Sequence, residues 1–355
     1  AYLATRTRGA RVLSYLHGSA SDPFHDIYSS PGWLTGYDPP RPFPFFVNLE
    51  PTNHCQLNCL FCSRQLSERP KGYLDLGLAA KIFDETAGHP GTAVRLTGWG
   101  EPLLHPEIVK IVSMVKGRGI RLKIYTNGLA LTEETMARFV DLGLDDLQFS
   151  MQGLNEKQYL FNRVGSDYKK LVSNIEMAAR VRERLGGAGG PEGGARPFLS
   201  VLTSVLEDEL REDSPGDFVG RWLGTVDKVA VDLTNLNFVS RLPRVAPHLR
   251  RQSGDLRRGL CVDVFLAVEV KYDGTVQFCG QDSRGLPGHS AGRLPGESLR
   301  DIWLGGRFND QRDRVGRSLG HENSPVCRDC YHNTSKYDVF KQALSAGGPP
   351  GDGGA

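Results

Sequence analysis

Six short apolar runs, each followed by a helical or turn-rich stretch, set the strongest limit on what this 355-residue chain can become. They are FFVNLE (45–50), AVRLT (93–97), RLKIY (121–125), DLQFSM (146–151), FLSVLTS (198–204) and KVAVDL (228–233). Windows between them, such as LGLAAKIFDETAG and PEIVKIVSMVKGRG, place apolar residues at i, i+3 and i+4, the spacing of a half-buried helix. Strands alternating with helices predict a parallel sheet with crossover helices, an α/β fold. Six units suit an open, partial (β/α)6 TIM-like barrel better than a closed barrel of eight. In such barrels the carboxyl ends of the strands form the active face. Here the first four runs end in unusual polar or glycine-containing signatures, NHCQLNCLFC, GWGEP, TNG and QG.

The first signature holds Cys55, Cys59 and Cys62 in a Cys-x3-Cys-x2-Cys spacing. Three thiolates so spaced can hold an iron–sulfur cube while leaving one of its four irons without a protein ligand. An open iron on a reducing cluster is a place for chemistry. Of the seven cysteines, the other four are Cys261, Cys279, Cys327 and Cys330. They read as the ligands of a second, closed cluster, or as a structural zinc site. Zinc knuckles usually pair two Cys-x2-Cys arms, and only Cys327 and Cys330 form one. An odd cysteine count, with no secretory signal at the start, argues against a disulfide framework. Thiols kept for metal point to a reducing, cytoplasmic setting. The net charge of +2 gives no electrostatic case for nucleic acid. No stretch approaches the roughly 18–20 apolar residues that span a bilayer.

The expected organisation is an N-terminal helix and Pro-rich extension (1–44), the barrel (45–245), a small cluster-binding domain (250–340) and a low-complexity, disordered tail (346–355). The Gly-rich stretch 185–197 reads as a flexible loop. In the small domain, VFLAVEV and TVQFC flank Asp273-Gly274 and predict a β-hairpin, and ESLRDIWLGG predicts a helix.

These residues resemble the radical S-adenosylmethionine (SAM) superfamily, from about Phe45 to Cys330. The triad is that family's defining motif, with Phe61 as the aromatic before the third cysteine. Gly98-Trp99-Gly100-Glu101-Pro102 is similar to its Gly-Gly-Glu element, with Trp99 as a departure. By this resemblance Gly98, Gly100 and Glu101 bind the SAM amino group. Asn127, Ser150 and Gln152 hold the ribose, and Arg163 lies beside the SAM carboxylate. Read alone, Glu101 is an ordinary loop carboxylate, Asn127 a turn residue and Arg163 a surface cation. The later cysteines resemble the twitch domain, a shortened SPASM domain, and imply a second [4Fe-4S] cluster. Their spacing is most similar to the 2-deoxy-scyllo-inosamine dehydrogenase type of aminoglycoside and aminocyclitol pathways, which includes spectinomycin-type enzymes.

The resemblance implies SAM cleavage to a 5′-deoxyadenosyl radical, hydrogen abstraction from a secondary alcohol, and transfer of the leftover electron to the second cluster. The expected substrate is a small sugar or aminocyclitol, and the expected electron donor a flavodoxin or ferredoxin-type protein, with no nucleic-acid or membrane partner. Asp282, Asp232 and Arg163 are the candidates for catalytic side chains, although the two aspartates read first as cap or loop residues. Two alternatives stay open. A sugar epimerase would need a hydrogen donor, and all seven cysteines are already assigned. A maturase of ribosomal peptides often carries a leader-recognition domain, for which about 44 residues ahead of the first strand are short.

Overall fold

A computed structural model describes residues 15–17, 23–24, 41–186, 196–206, 209–233, 261, 263–286, 288–316 and 325–328. Its strands are β1 (Tyr15–His17), β2 (Phe46–Leu49), β3 (Ala93–Leu96), β4 (Arg121–Thr126), β5 (Asp146–Gln152), β6 (Phe198–Val205), β7 (Lys228–Leu233), β8 (Ala267–Val270), β9 (Thr275–Gln277) and β10 (Ser290–Arg293). They form one sheet in the order β1-β7-β6-β5-β4-β3-β2-β8-β9-β10. The six runs read from the sequence are β2 to β7. They pair in parallel and in chain order, the expected partial barrel.

Period-two alternation divides the sheet's faces. Val47, Leu49, Val94, Leu96, Leu122, Ile124, Leu147 and Phe149 are fully buried, in one core with Ile111, Val112, Phe139, Leu171 and Ile175 of the crossover helices. The helices start where capping chemistry dictates. Asp75, Thr132, Asn155 and Asp167 each accept a backbone N–H from the first turn of Leu76–Ala87, Glu133–Asp141, Glu156–Asn162 and Tyr168–Leu185.

The opposite face mixes polar residues with buried Phe46 and Ala93, unlike the continuous apolar runs usual in a parallel sheet covered on both sides. Register places Glu269, Asn48, Arg95, Lys123 and Asp146 side by side across β8, β2, β3, β4 and β5. Lys123 Nζ lies 2.7 Å from Asp146, both fully enclosed, and Ser200 donates to the same carboxylate at 3.1 Å. Removing one partner strands the other charge. Asp146→Ala is expected to cost about 3–5 kcal/mol of stability, read as a lower urea midpoint.

Three expectations change. Tyr15–His17, inside the stretch read as helical, is a strand antiparallel to β7. VFLAVEV is not one strand: Asp263–Leu266 makes a helical turn before β8 begins. The hairpin itself is as expected, with Asp273 accepting from Thr275 N at 3.0 Å, but it is not set apart from the barrel sheet. β8 pairs in parallel with β2 and continues the barrel sheet. An unpaired β2 edge would otherwise stand open. The predicted helix is Leu299–Leu304. The core of the Gly-rich loop (187–195), the tail and Cys330 lie outside the described residues.

Candidate active site

The three-cysteine loop follows β2 and is fixed from several sides. Asn58 N donates to Val164 O, Leu60 N to Asn162 O, and Arg64 to Leu57 O at 2.6–2.9 Å. Cys55, Cys59 and Cys62 are free thiols, and Phe61 packs against the core beside them. Burial pushes all three thiols up; Cys55 feels the charge of Cys59, Cys59 that of Cys62, and Cys62 that of Cys55. The three thiols are therefore near neighbours in one loop. Among the described residues, no three His, Cys, Asp or Glu side chains converge on one ion. A cube does not require that, because each thiolate binds a different iron.

The glycines of GWGEP make this loop possible. A Cβ on Gly100 would lie 2.0 Å from Thr52 O, and Gly98, at φ +133°, lies against Glu50. Both strand ends can approach only because nothing projects between them. Glu101 then donates its N–H to His54 O at 2.8 Å. Its buried carboxylate accepts from Thr126 Oγ1 at 2.6 Å, Asn127 N at 2.7 Å and Leu103 N at 3.1 Å. Burial pushes it up, against those hydrogen bonds. Three of about four lone-pair sites are thus committed within the protein. Glu101 ties β3 to β4, a task its position beside the glycines did not reveal.

Asn127 is buried and shares a reciprocal amide pair with Gln56, the residue after Cys55, with Nδ2 4.0 Å from Cys55 Sγ. Ser150 and Gln152 lie on the polar face of β5, as their alternation predicted. Arg163 is no surface cation. It is 6 % exposed, donates Nε to Gln152 Oε1, and its charge opposes the burial penalty on Cys59 and Glu101.

The aspartates read as catalytic are placed otherwise. Asp282 is buried and accepts from the backbone of Arg284, Gly285 and Leu286 and from Gln277 Nε2. It holds its own loop, the cap reading. Asp232 stands on β7 opposite Ser204 and is not among the described residues lining the cavity below. Of the later thiols, Cys279 lies 3.5 Å from His289 Nε2, and Gln311 donates to Cys327 at 3.5 Å. Burial pushes His289 down to about 4. Cys261 packs, half-buried, against the core.

A cavity of about 550 Å³ opens on the polar face. Gly98 and Trp99 line it, as do Cys279 and Gly280, with Asn48, Arg95, Tyr125 and Glu269 contributing polar groups. Arg95 sits 3.2 Å over the Phe46 ring. Asn48, Arg95 and Glu269 were missed in the sequence. Their signal was the one polar residue at the third position of each otherwise apolar strand, FVNL, AVRL and AVEV.

A partial barrel that gathers open-sided thiols at its strand ends, with further thiols in a C-terminal hairpin domain, defines an iron–sulfur enzyme of the radical type. Residues 49–187 match the model of the radical SAM superfamily, and 261–331 that of a SPASM iron–sulfur cluster-binding domain. A PqqA peptide cyclase from Ruegeria pomeroyi is 30% identical over 351 residues, 87% of this chain and 86% of that protein. A tungsten-containing aldehyde ferredoxin oxidoreductase cofactor-modifying protein from Pyrococcus furiosus is 38% identical over 168 residues, 47% of this chain, and is matched over only 45% of its own length. BtrN, solved in complex with AdoMet and 2-DOIA, shares the fold at a TM-score of 0.53 and 18% identity, over 81% of this chain and 93% of that one. The chain belongs to the radical SAM superfamily and carries a SPASM-type domain. Its cofactors are SAM and [4Fe-4S] clusters. Among the described residues, no helix is long and apolar enough to cross a membrane.

Proposed function

We propose that this protein is a radical SAM dehydrogenase that oxidises a secondary alcohol of a sugar or aminocyclitol to a ketone, in aminoglycoside-type antibiotic biosynthesis. The cavity carries the reading: it has the Gly98-Trp99 turn and Cys279-Gly280 among its lining residues. A molecule there touches the elements that serve both iron–sulfur sites. Its volume falls in the range of small-molecule pockets, about 300–1,000 Å³, and its lining is rich in hydrogen-bonding groups suited to ring hydroxyls.

Bound SAM and the clusters supply hydrogen-atom abstraction and one-electron uptake; the protein supplies position and electrostatics. Cys55, Cys59 and Cys62 would hold the SAM-cleaving cluster, and Cys261, Cys279, Cys327 and Cys330 the auxiliary one. Gln152 and Arg163 form a preset pair at the SAM end, with Ser150 and Asn127 beside it. A flavodoxin or ferredoxin-type protein is the expected electron donor, in the cytoplasm.

A second reading is a peptide-modifying maturase. The similarity to a PqqA peptide cyclase over most of both chains supports it. Anaerobic reconstitution, then SAM and reductant with sugar alcohols in one set and peptides in another, separates the two. Ketone formation with one SAM consumed per turnover supports the dehydrogenase. A modified peptide with no alcohol oxidised overturns it, as does inversion at a carbinol carbon without ketone. Cys327→Ala is expected to keep releasing 5′-deoxyadenosine while ketone falls below about a tenth of wild type, the signature of a lost electron acceptor. Chromatography of both products checks it.

A further inference from the structure

We propose that Glu269 is the group in this cavity that meets the substrate hydroxyl and takes its proton, an assignment that rests on the alcohol-oxidation reading above. Oxidising a carbinol removes two hydrogens. Bound SAM would supply the means to take the C–H hydrogen as an atom, and the auxiliary cluster would take the remaining electron as the carbon–oxygen double bond forms. The O–H proton needs a base among the side chains of this chain. Asp282 is spent on its own loop. Glu269 is differently placed.

It stands on β8 at the level of Asn48 and Arg95, and it lines the cavity while only 7 % exposed. Asn48 Nδ2 donates to Oε1 at 2.5 Å, which orients the carboxylate. Oε2 lies 4.0 Å from Lys271 Nζ, beyond hydrogen-bonding reach. The carboxylate rests against Gly280, where a Cβ would come within 3.0 Å of Oε1. The residue after Cys279 is thus glycine where the carboxylate needs the space. This puts the proton acceptor beside the segment that carries an auxiliary-cluster thiol, where the electron must also go.

The electrostatics suit a base. Burial raises the carboxyl to about 6, helped by Asp263, and opposed by Lys271, the Asn48 hydrogen bond and Arg95. At pH 7 such a group is mostly ionised, yet basic enough to accept a proton. The folded pKa lies above the ordinary carboxylate value. Proton acceptance is therefore available above about pH 6 and lost as pH falls through it.

The test compares reconstituted wild type with Glu269→Gln, using myo-inositol, scyllo-inosamine and glucosamine as probes. Calorimetric binding of the best probe is expected to stay within about threefold in the variant, and ketone formation to fall about a hundredfold. 5′-Deoxyadenosine release should continue, and the acid limb near pH 6 in the wild-type rate should vanish. Glu269→Asp, which restores a shorter carboxylate, should recover part of the ketone yield. Ketone within threefold of wild type in Glu269→Gln overturns the assignment alone. Loss of binding, deoxyadenosine and ketone together in both variants would mark a structural role and also overturn it. If wild type binds none of the probes, or forms no ketone and modifies a peptide, the assignment falls with the alcohol reading.

Discussion

Cys62→Ala is expected to reduce SAM cleavage to background, and to lower bound iron in the reconstituted protein from about eight to about four per chain. The triad has no redundancy. Three thiolates serve a cube with four irons, so losing one leaves two irons without protein ligands. Cys62 also ends the loop: its N–H donates to Cys59 O at 3.1 Å, and the short 3-10 helix Ser63–Leu66 begins immediately after it. Alanine preserves both backbone features and removes only sulfur, so the metal-free variant should melt like wild type. Iron assay, visible absorbance and deoxyadenosine release together check the expectation. Full iron content with SAM cleavage intact would remove the basis for assigning the first cluster to this loop.

The second large effect is expected from Gly100→Ala, a single methyl group. Its Cβ would meet Thr52 O at 2.0 Å, Thr52 C at 2.7 Å and Asn53 Cα at 2.8 Å, all backbone atoms that no rotamer change can clear. Relief requires moving either the segment that leads into Cys55 or the turn that positions Glu101. Overpacking of this kind costs roughly 1–3 kcal/mol, and the upper end is expected here. The loss should reach the first cluster before the fold, with iron at the triad site falling while the auxiliary site stays loaded. Gly220→Ala is the control. Gly220 lies in the helix Pro215–Trp222 with nothing within 4 Å of its Cβ position, so alanine there should leave iron content unchanged. Urea titration and iron assay of the two variants, side by side, measure the difference.

Much of the barrel was legible because its strands are short, apolar and separated by helical windows of the right period. The cysteine spacing marked the two thiol sets for the same reason: local spacing survives in one dimension. What escaped was lateral. β1 has three residues and no periodic signal, and only its pairing with β7 makes it a strand. Nothing in AVEV names β2 as its neighbour; an open sheet edge does. Asn48 and Glu269 are 221 residues apart and meet only through that register. Arg163, read alone as a surface cation, is buried because the helix before it ends against the triad loop. Asp282, named as a catalytic candidate, stands three residues after Cys279. Its side chain accepts from the backbone of Arg284, Gly285 and Leu286, as aspartate often does in turns.

The pairing of β8 with β2 has one more consequence. The sheet runs without interruption from the N-terminal strand to the last hairpin, so barrel and C-terminal domain are not modules joined by a hinge. Glu50 N donates to Val270 O at 2.8 Å just ahead of the three-cysteine loop, and Cys279 closes the hairpin that β8 begins. The spacing between the two thiol sets is thereby written into a ladder of amide hydrogen bonds. Evolution could tune the cavity along that ladder by exchanging side chains between its rungs, while the separation of the two thiol sets stayed constant.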